Sequence, residues 1–506
     1  MTKGSNVKSS RLRLALTFKR FNALAKCICM KTGLRENQPM SRVPAILLVL
    51  AIWAAIYLPA LGSLAIKGEE GRRILPAVRM LETGDYMIPQ VGGEPYLRKP
   101  PLINWLVAVS FKIFGRRNEW TARLPSALCV LAVAIALITV ARASLGARGS
   151  AIAALIWLTN FGMIEKGRLI EIEALYVSLF AIAFICWISG WEQRRSPWFT
   201  WILPWIFLGL AWLAKGPTHL FFFYAIVLAV LWRSRELRKI WNIPHLIGLI
   251  IMMSIFGAWA IPFAKIAGAA HVTHVWSRQF SGRLAGEGLN FQSWALNIPR
   301  SLGYFLPWLF FVPLLVNAKF SSERKIEIVG GLSWGIVIPL VIVDLIPGSL
   351  PRYAMPLLAP AAWLLTETLT AVNLTWPRWL GGRQFQWKDR VRTVAFVTIA
   401  TCACILLYAF AIVPHLQSRQ KLRTIAASID DLVPANESLY AVDPDYQPIL
   451  FYVERKLVYV ANLNELPAGA HFFLIQPELE HAALGRASPV LRIKDYRNRE
   501  IILMRR

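Results

Sequence analysis

The sequence predicts an all-α polytopic membrane protein that carries a small soluble α/β domain at its C-terminus. The chain has 506 residues, of which 56% are hydrophobic, and its mean hydropathy is +0.47. A soluble protein of this length does not need so many apolar residues. The 21 Trp residues suit aromatic anchors at membrane–water boundaries. The net charge of +27 is explained by cytoplasmic Lys and Arg beside an anionic leaflet, so it does not indicate nucleic-acid binding.

Roughly eleven apolar runs are long enough to be transmembrane helices, since a helix needs about 20 apolar residues to cross a bilayer. They lie near residues 44–66, 121–141, 149–167, 172–190, 198–214, 217–232, 243–263, 301–317, 327–347, 354–372 and 392–413. No internal repeat is obvious, so the sequence gives no support to an inverted-repeat transporter.

The orientation of these runs follows from the charges between them. We expect residues 1–42 to be a basic cytoplasmic extension, and every alternate loop is then basic, as the positive-inside rule demands. These inner loops are 142–148, 191–197, 233–241, 318–325 and 373–391. The sequence therefore predicts a transmembrane domain over residues 43–413, with external loops 67–120 and 264–300, and an external α/β domain over 414–506.

Local patterns predict the elements outside the bilayer. Within the first external loop, Ile74–Glu82 and Leu102–Phe114 are too short to cross and are expected to lie along the interface. In the tail, residues 416–432 have the pattern of an amphipathic helix. Strand-like runs follow at Ser438–Val442, Leu457–Val460, His471–Ile475 and Glu500–Met504.

The first external loop carries carboxylates and cations that could share one reacting centre. Glu69 and Glu70 are adjacent, Arg72 follows, and Lys99 precedes a rigid Pro-Pro step. A carboxylate can accept a proton from an attacking hydroxyl group, and Lys or Arg can stabilise the charge on a departing phosphate. Solvated surface carboxylates are the alternative that remains open at this point.

Further charged groups lie at the outer ends of later spans. They are Arg168 and Glu173, Lys215, Arg278 and Arg283, and Arg352 with Tyr353. Ionisable groups at membrane depth are costly, so they are candidates for function. For each of them an interfacial anchor or a cation that snorkels to the surface also remains open.

As an ordered set, these motifs resemble those of a known superfamily of bacterial membrane glycosyltransferases. The superfamily comprises protein O-mannosyltransferases and lipid A aminoarabinose transferases and has the GT-C type of fold. The matching stretches are Glu69–Arg72, Met80–Tyr86, Tyr96–Leu102, Arg123–Ser126, Leu213–Pro217 and Pro351–Pro356. They extend over most of residues 50–360, and the soluble tail is similar in placement.

The resemblance implies an inverting glycosyltransferase in the bacterial inner membrane, with its tail domain in the periplasm. It implies transfer of a hexosyl or pentosyl group from a polyprenyl-phosphate donor to a hydroxyl on lipid A, a protein or a glycan. Glu69 and Glu173 occupy the positions of two Asp residues of the family, with side chains one methylene longer, and the resemblance implies that both are catalytic. Arg72 and Lys99 match positions that contact the donor phosphate. Looser matches for the same cavity are Lys215, Arg278, Arg283, Arg352 and Tyr353.

The resemblance also bears on cofactors and on rival functions. The leaving phosphate already carries charge, so fixed cations could suffice without a cofactor, although a divalent ion between Glu69 and Glu173 stays open. The expected partners are the donor, the acceptor and membrane lipids, with no nucleic acid. A polyprenyl-lipid transporter or flippase and a non-catalytic lipid-binding subunit are the alternatives. The enzyme is favoured because the charged residues cluster on one face rather than along a path through the spans.

Overall fold

The computed structural model describes residues 41–286, 289–485, 487–494 and 500–506. The predicted basic extension, residues 1–42, lies almost wholly outside the described residues. From the first helix to the end of the first external loop region, the helices are α1 (Arg42–Tyr57), α2 (Gly71–Thr83) and α3 (Leu102–Phe114). A short hairpin of β1 (Gln90–Val91) and β2 (Glu94–Pro95) separates α2 from α3.

The membrane part continues with α4 to α16, which are mostly long and apolar. Their bounds are Glu119–Thr139 (α4), Arg142–Leu158 (α5), Phe161–Gly167 (α6), Ile172–Glu192 (α7), Pro197–Ala214 (α8), His219–Arg233 (α9), Ile243–Ala267 (α10), Ala269–Ala285 (α11), Phe291–Ala295 (α12), Asn297–Gly303 (α13), Glu323–Leu345 (α14), Leu358–Leu369 (α15) and Trp387–Leu407 (α16). Short 3₁₀ segments precede α2 at Gly68–Glu70 and precede α15 at Pro351–Leu357.

Six helical stretches of the described chain are long and apolar enough to cross a membrane. Two bent pairs, α5 with α6 at 58° and α13 with the 3₁₀ segment Trp308–Asn317 at 95°, raise this number to eight if each pair is one span. The protein is therefore a polytopic helical membrane protein, and the predicted count of roughly eleven spans is not confirmed. Helices α1, α3 and α9 are apolar but shorter than 18 residues, which is why they fall below that criterion.

The centre of the bundle is α7, whose side chains are almost all buried by neighbouring helices. Close helix packing elsewhere depends on small residues. A Cβ atom added at Gly331 or Gly335 of α14 would lie 2.6 Å from the Cα of Val230 or 2.8 Å from the Cα of Ile226 on α9. These two glycines, four residues apart, allow the backbones of α9 and α14 to approach, as small residues do between membrane helices.

The tail folds as a small α/β unit, as the sequence predicted. Its helices are α17 (Val413–Ser418), α18 (Leu422–Leu432) and α19 (Glu480–Leu484), so the predicted helix over 416–432 is broken between Ser418 and Leu422. Its strands are β3 (Leu439–Val442), β4 (Leu457–Val460), β5 (Phe472–Ile475), β6 (Ser488–Lys494) and β7 (Glu500–Arg505). The four predicted strands are confirmed, and β6 is an addition.

The five tail strands form one sheet in the order β4-β3-β5-β7-β6. Strand β3 is parallel to both β4 and β5, whereas β7 is antiparallel to β5 and β6. The chain therefore leaves β3 toward one side for β4 and returns on the other side as β5. The carboxyl end of β3 is the point at which the strand order reverses.

Candidate active site

Glu173 lies in the first turn of the central helix α7, where its side chain is buried among cations. The Lys215 Nζ atom is 3.3 Å from Glu173 Oε1, and the Arg352 Nε atom is 3.0 Å from the same oxygen. Lys215 follows the last residue of α8, and Arg352 lies in the 3₁₀ segment before α15. Three distant parts of the chain thus bring charged groups to one end of the bundle.

Aromatic rings complete the surroundings of Lys215. Its Nζ atom lies 4.8 Å from the centroid of the Tyr353 ring and 5.1 Å from that of Tyr176. Burial lowers the pKa of Lys215, and the Glu173 carboxylate opposes this effect. The ammonium group is therefore held by one carboxylate and two ring faces.

Lys99 belongs to the same cluster. Burial and the positive charges of Lys215 and Arg73 lower the pKa of Lys99 to about 8, while Glu173 acts in the opposite direction. The loop before Lys99 is held by one indole group, since Trp276 Nε1 donates to the Leu97 carbonyl at 2.8 Å. Lys99 is thus a preorganised cation in an environment with excess positive charge.

Glu69 lies at the edge of this cluster in the 3₁₀ segment before α2. Its carboxylate accepts hydrogen bonds from Arg72 Nη1 at 3.1 and 3.3 Å. The side chains of Glu69 and Arg72 remain 30% and 24% exposed, so both can meet a ligand. Burial lowers the pKa of Arg352, whereas the carboxylates of Glu173 and Glu171, and to a smaller extent that of Glu69, raise it.

Glu70, the neighbour of Glu69, has a different environment. Its carboxylate forms a bidentate pair with the Nε and Nη2 atoms of Arg123 at 2.8 Å each, and both side chains are almost fully buried. It also accepts the backbone N–H of Ile170 at 3.1 Å and that of Lys67 at 3.2 Å. Glu70 therefore joins the segment before α2 to α4, and both of its oxygens already accept hydrogen bonds from the protein.

Glu171 is a further carboxylate of the cluster that sequence reasoning did not select. Burial and the negative charge of Glu173 raise the pKa of Glu171 to about 7, against the effect of Lys166. The Lys166 Nζ atom lies 3.6 Å from Glu171 Oε1 and 3.0 Å from Glu165 Oε1. The spacing from Arg168 could have pointed to either Glu171 or Glu173, and only the packing separates them.

Three other predicted cations lie in different places. Arg168 pairs with no carboxylate of the described residues and instead donates to the backbone carbonyls of Ile56 and Pro59 at the end of α1. Arg283 donates to the Gly348 carbonyl at 3.1 Å, and its charge reaches Lys99. Arg278 is exposed on α11, and no ion pair joins it to a described residue. The structure thus collects Lys99, Lys215, Arg352 and Tyr353 around Glu173, while Arg278 stays apart.

The carboxylates of the cluster do not fit a divalent ion. Within the described part of the chain, no group of three or more His, Cys, Asp or Glu side chains could hold a metal. Moreover, Glu173 is paired with Lys215 and Arg352, and Glu69 is paired with Arg72. A metal ion would have to displace these cations.

The chain is similar to known proteins in sequence and in fold. Residues 98–261 match the family model described as dolichyl-phosphate-mannose-protein mannosyltransferase. An undecaprenyl phosphate-α-4-amino-4-deoxy-L-arabinose arabinosyl transferase of Proteus mirabilis is 26% identical over 338 residues, covering 65% of this chain and 60% of the relative. A transferase of the same description from Pseudomonas fluorescens is 27% identical over 352 residues, with the same coverage. The chain therefore spans about 60% of the length of these curated relatives.

The fold is similar to that of a solved membrane-protein structure. The crystal structure of ArnT from Cupriavidus metallidurans bound to undecaprenyl phosphate has a TM-score of 0.70 with this chain, at 16% identity. The match covers 91% of this chain and 97% of that protein. Together with the sequence relatives, it confirms the predicted resemblance to GT-C-type glycosyltransferases that use polyprenyl-phosphate sugars.

Proposed function

We propose that this chain is an inverting glycosyltransferase that moves a sugar from a polyprenyl-phosphate carrier to a hydroxyl-bearing acceptor. The proposal is supported above all by the convergence of Lys99, Lys215 and Arg352 around Glu173 at one end of the bundle. Positive charge exceeds negative charge there, as a site for a phosphate ester requires. The named donor of the sequence relatives, an undecaprenyl-phosphate-linked aminoarabinose, has this chemistry.

The proposed roles follow from exposure and pairing. Glu69 is the more accessible carboxylate and acts as the general base. The acceptor hydroxyl oxygen attacks the anomeric carbon, its proton passes to Glu69, and the bond from that carbon to the carrier phosphate breaks. The electron pair leaves with the phosphate, whose charge Lys99 and Arg72 stabilise.

Glu173 acts in this proposal through the cations that it pairs with. By holding Lys215 and Arg352 on one oxygen, it keeps two positive groups fixed beside the phosphate, so they need no reorganisation during the reaction. We assign Tyr353 and Arg283 to the lining of the donor site, whereas Arg278, which is exposed on α11 and stands apart from the cluster, attracts the anionic donor by charge alone.

The proposed topology has eleven spans, a cytoplasmic N-terminal extension and a tail domain outside the inner membrane. It is supported by the agreement between the predicted external loops and the cluster. Glu69, Lys99, Lys215 and Arg352 all come from segments assigned to the same side by the positive-inside rule, and they are brought together at one end of the bundle. The basic inner loops belong to the opposite side.

The test is transfer of radiolabelled sugar from a polyprenyl-phosphate donor by the purified full chain. We expect Glu69→Gln to lower kcat by about 10²–10⁴-fold, the usual contribution of a general base, with donor binding retained. Glu94→Gln is the matched control, because Glu94 is an exposed carboxylate of the same external loop. Donor that is bound and moved between leaflets without any transfer would instead identify a lipid transporter.

A further inference from the structure

The segment that carries Glu69 is held by the tail domain as well as by the membrane domain. The Ala65 N–H donates to Gln420 Oε1 at 2.9 Å, and the Ile66 N–H donates to the Tyr452 hydroxyl at 2.7 Å. A Cβ atom added at Gly71 would lie only 2.5 Å from the Tyr446 carbonyl oxygen. Tail residues therefore contact this segment before and after Glu69.

The contact with Gly71 comes from the loop that follows β3. This loop begins at the carboxyl end of β3, where the strand order of the sheet reverses. Asp443 and Asp445 adopt left-handed backbone conformations, with φ of 40° and 50°, which Asp tolerates better than most residues. The buried Tyr446 comes next, and its ring stacks on the Arg72 guanidinium with 3.8 Å from Cζ to the ring centroid.

Arg72 is consequently held on two sides. One side is the Tyr446 ring, and the other is the Glu69 carboxylate at 3.1 Å. A stacked guanidinium has fewer orientations than a free one, so its two hydrogen bonds to Glu69 are fixed in direction. The position of the proposed general base thus depends on an aromatic ring supplied by the tail domain.

We propose that Tyr446 is a positioning residue for the transfer reaction, acting through Arg72 on Glu69. This inference rests on the proposed function, and it assigns the tail domain a direct part in the reaction rather than a separate docking role. The hydroxyl group of Tyr446 is not required by this mechanism. The face of the ring is required.

The test uses two variants of one position and one matched control in the purified full chain. Tyr446→Phe keeps the ring, and Tyr446→Leu removes it. Tyr459→Leu is the control, because Tyr459 makes the same kind of contact in the same interface, with Arg79 at 5.7 Å and Gly93 beneath it. Steady-state transfer gives kcat and the donor KM for each protein.

We expect Tyr446→Leu to lower kcat about tenfold with the donor KM nearly unchanged, since loss of a partly buried cation–π contact corresponds to about one decade in rate. Tyr446→Phe and Tyr459→Leu should stay within about threefold of the parent protein in kcat. The double variant Arg72→Gln/Tyr446→Leu should be no slower than Arg72→Gln alone, because Tyr446 acts through Arg72. Equal losses in the Phe and Leu variants, a raised donor KM with unchanged kcat, or additive losses in the double variant would each overturn the proposal.

A second measurement does not depend on catalysis. Thermal unfolding of the parent, Arg72→Gln, Tyr446→Leu and the double variant Arg72→Gln/Tyr446→Leu forms a double-variant cycle between Arg72 and Tyr446. We expect the two changes to be non-additive in Tm, and an additive cycle would overturn the contact on which the proposal stands. A parent protein that shows this coupling but transfers no sugar would refute the proposed function and leave the Arg72–Tyr446 contact established.

Discussion

Replacing Glu70 by Gln separates the roles of two adjacent and identical side chains. The Glu70 carboxylate accepts four hydrogen bonds at 2.8 to 3.2 Å, two of them from Arg123. A Gln side chain turns an NH₂ group toward some of these donors and leaves a buried guanidinium without its counter-charge. Removing one partner of a buried ion pair costs about 3–5 kcal/mol. We therefore expect Glu70→Gln to lose about this much stability.

Glu69→Gln should show the reverse. The Glu69–Arg72 pair is three residues apart in sequence and partly exposed, and such pairs contribute only about 0.3–0.5 kcal/mol. The unfolding temperature of the Glu69→Gln variant should therefore match that of the parent, while its sugar transfer is lost. The assay is thermal unfolding followed by tryptophan fluorescence in detergent, with radiolabelled transfer measured on the same preparations below the unfolding range.

One pattern of results would refute this reasoning. If Glu70→Gln unfolds at the temperature of the parent and Glu69→Gln unfolds at a lower temperature, then Glu69 rather than Glu70 is the carboxylate that stabilises the fold. If Glu70→Gln is destabilised but the folded fraction transfers sugar normally, both the structural role of Glu70 and its absence from the chemistry are supported.

Three further predictions concern the cation cluster and the tail contact. A lysine is charged below its pKa, so Lys99 loses its charge as the pH rises through about 8, and the donor KM should increase above that pH. The Lys99→Arg variant stays charged and should keep the donor KM constant to higher pH. Parallel pH profiles of the donor KM in the two proteins would contradict this. Lys215→Met should raise the donor KM about tenfold or more, because a charge-assisted contact with the donor is lost. The protein should stay folded because Glu173 still has Arg352 at 3.0 Å as a partner. An unchanged donor KM would show that Lys215 does not belong to the donor site. Gly71→Ala places a Cβ atom 2.5 Å from a backbone oxygen and should lower the unfolding free energy by about 1–3 kcal/mol. Gly303→Ala is the control, because open space surrounds Gly303, and it should leave the unfolding free energy unchanged. Equal unfolding temperatures of the two variants would argue against the close tail contact.

The positions of most helices and strands could be predicted from the sequence, because hydrophobic runs and alternation are local signals. Their grouping into spans could not. The bend of 58° between α5 and α6 arises between two helices that read as one apolar run. Strand β6 was missed because most of its residues are exposed and it contains Pro489, so it lacks the apolar alternation of the inner strands.

The kinds of residue in the site could be predicted, but their individual environments could not. Glu69 and Glu70 are the same residue type at adjacent positions, so the sequence does not show which of them is buried. Glu70 is the buried one because it pairs with Arg123, which lies 53 residues away in the sequence. Arg278 and Arg283 share one helix, yet among the described residues Arg283 alone of the two donates to a neighbouring segment, at the Gly348 carbonyl. Such long-range contacts depend on packing, which a motif does not encode.

The place of β7 in the tail sheet has a consequence for biosynthesis. Residues Glu500–Arg505 lie between β5 and β6 rather than at an edge of the sheet. The sheet therefore stays incomplete until the ribosome has made these residues. The membrane helices can insert well before that moment, but the segment around Glu69 then still lacks its contacts from Gln420, Tyr446 and Tyr452 in a finished domain. A chain that stalls or is clipped before residue 500 therefore lacks the strand that joins β5 to β6. If the tail domain positions Glu69 as proposed, such a chain should reach the membrane but transfer no sugar.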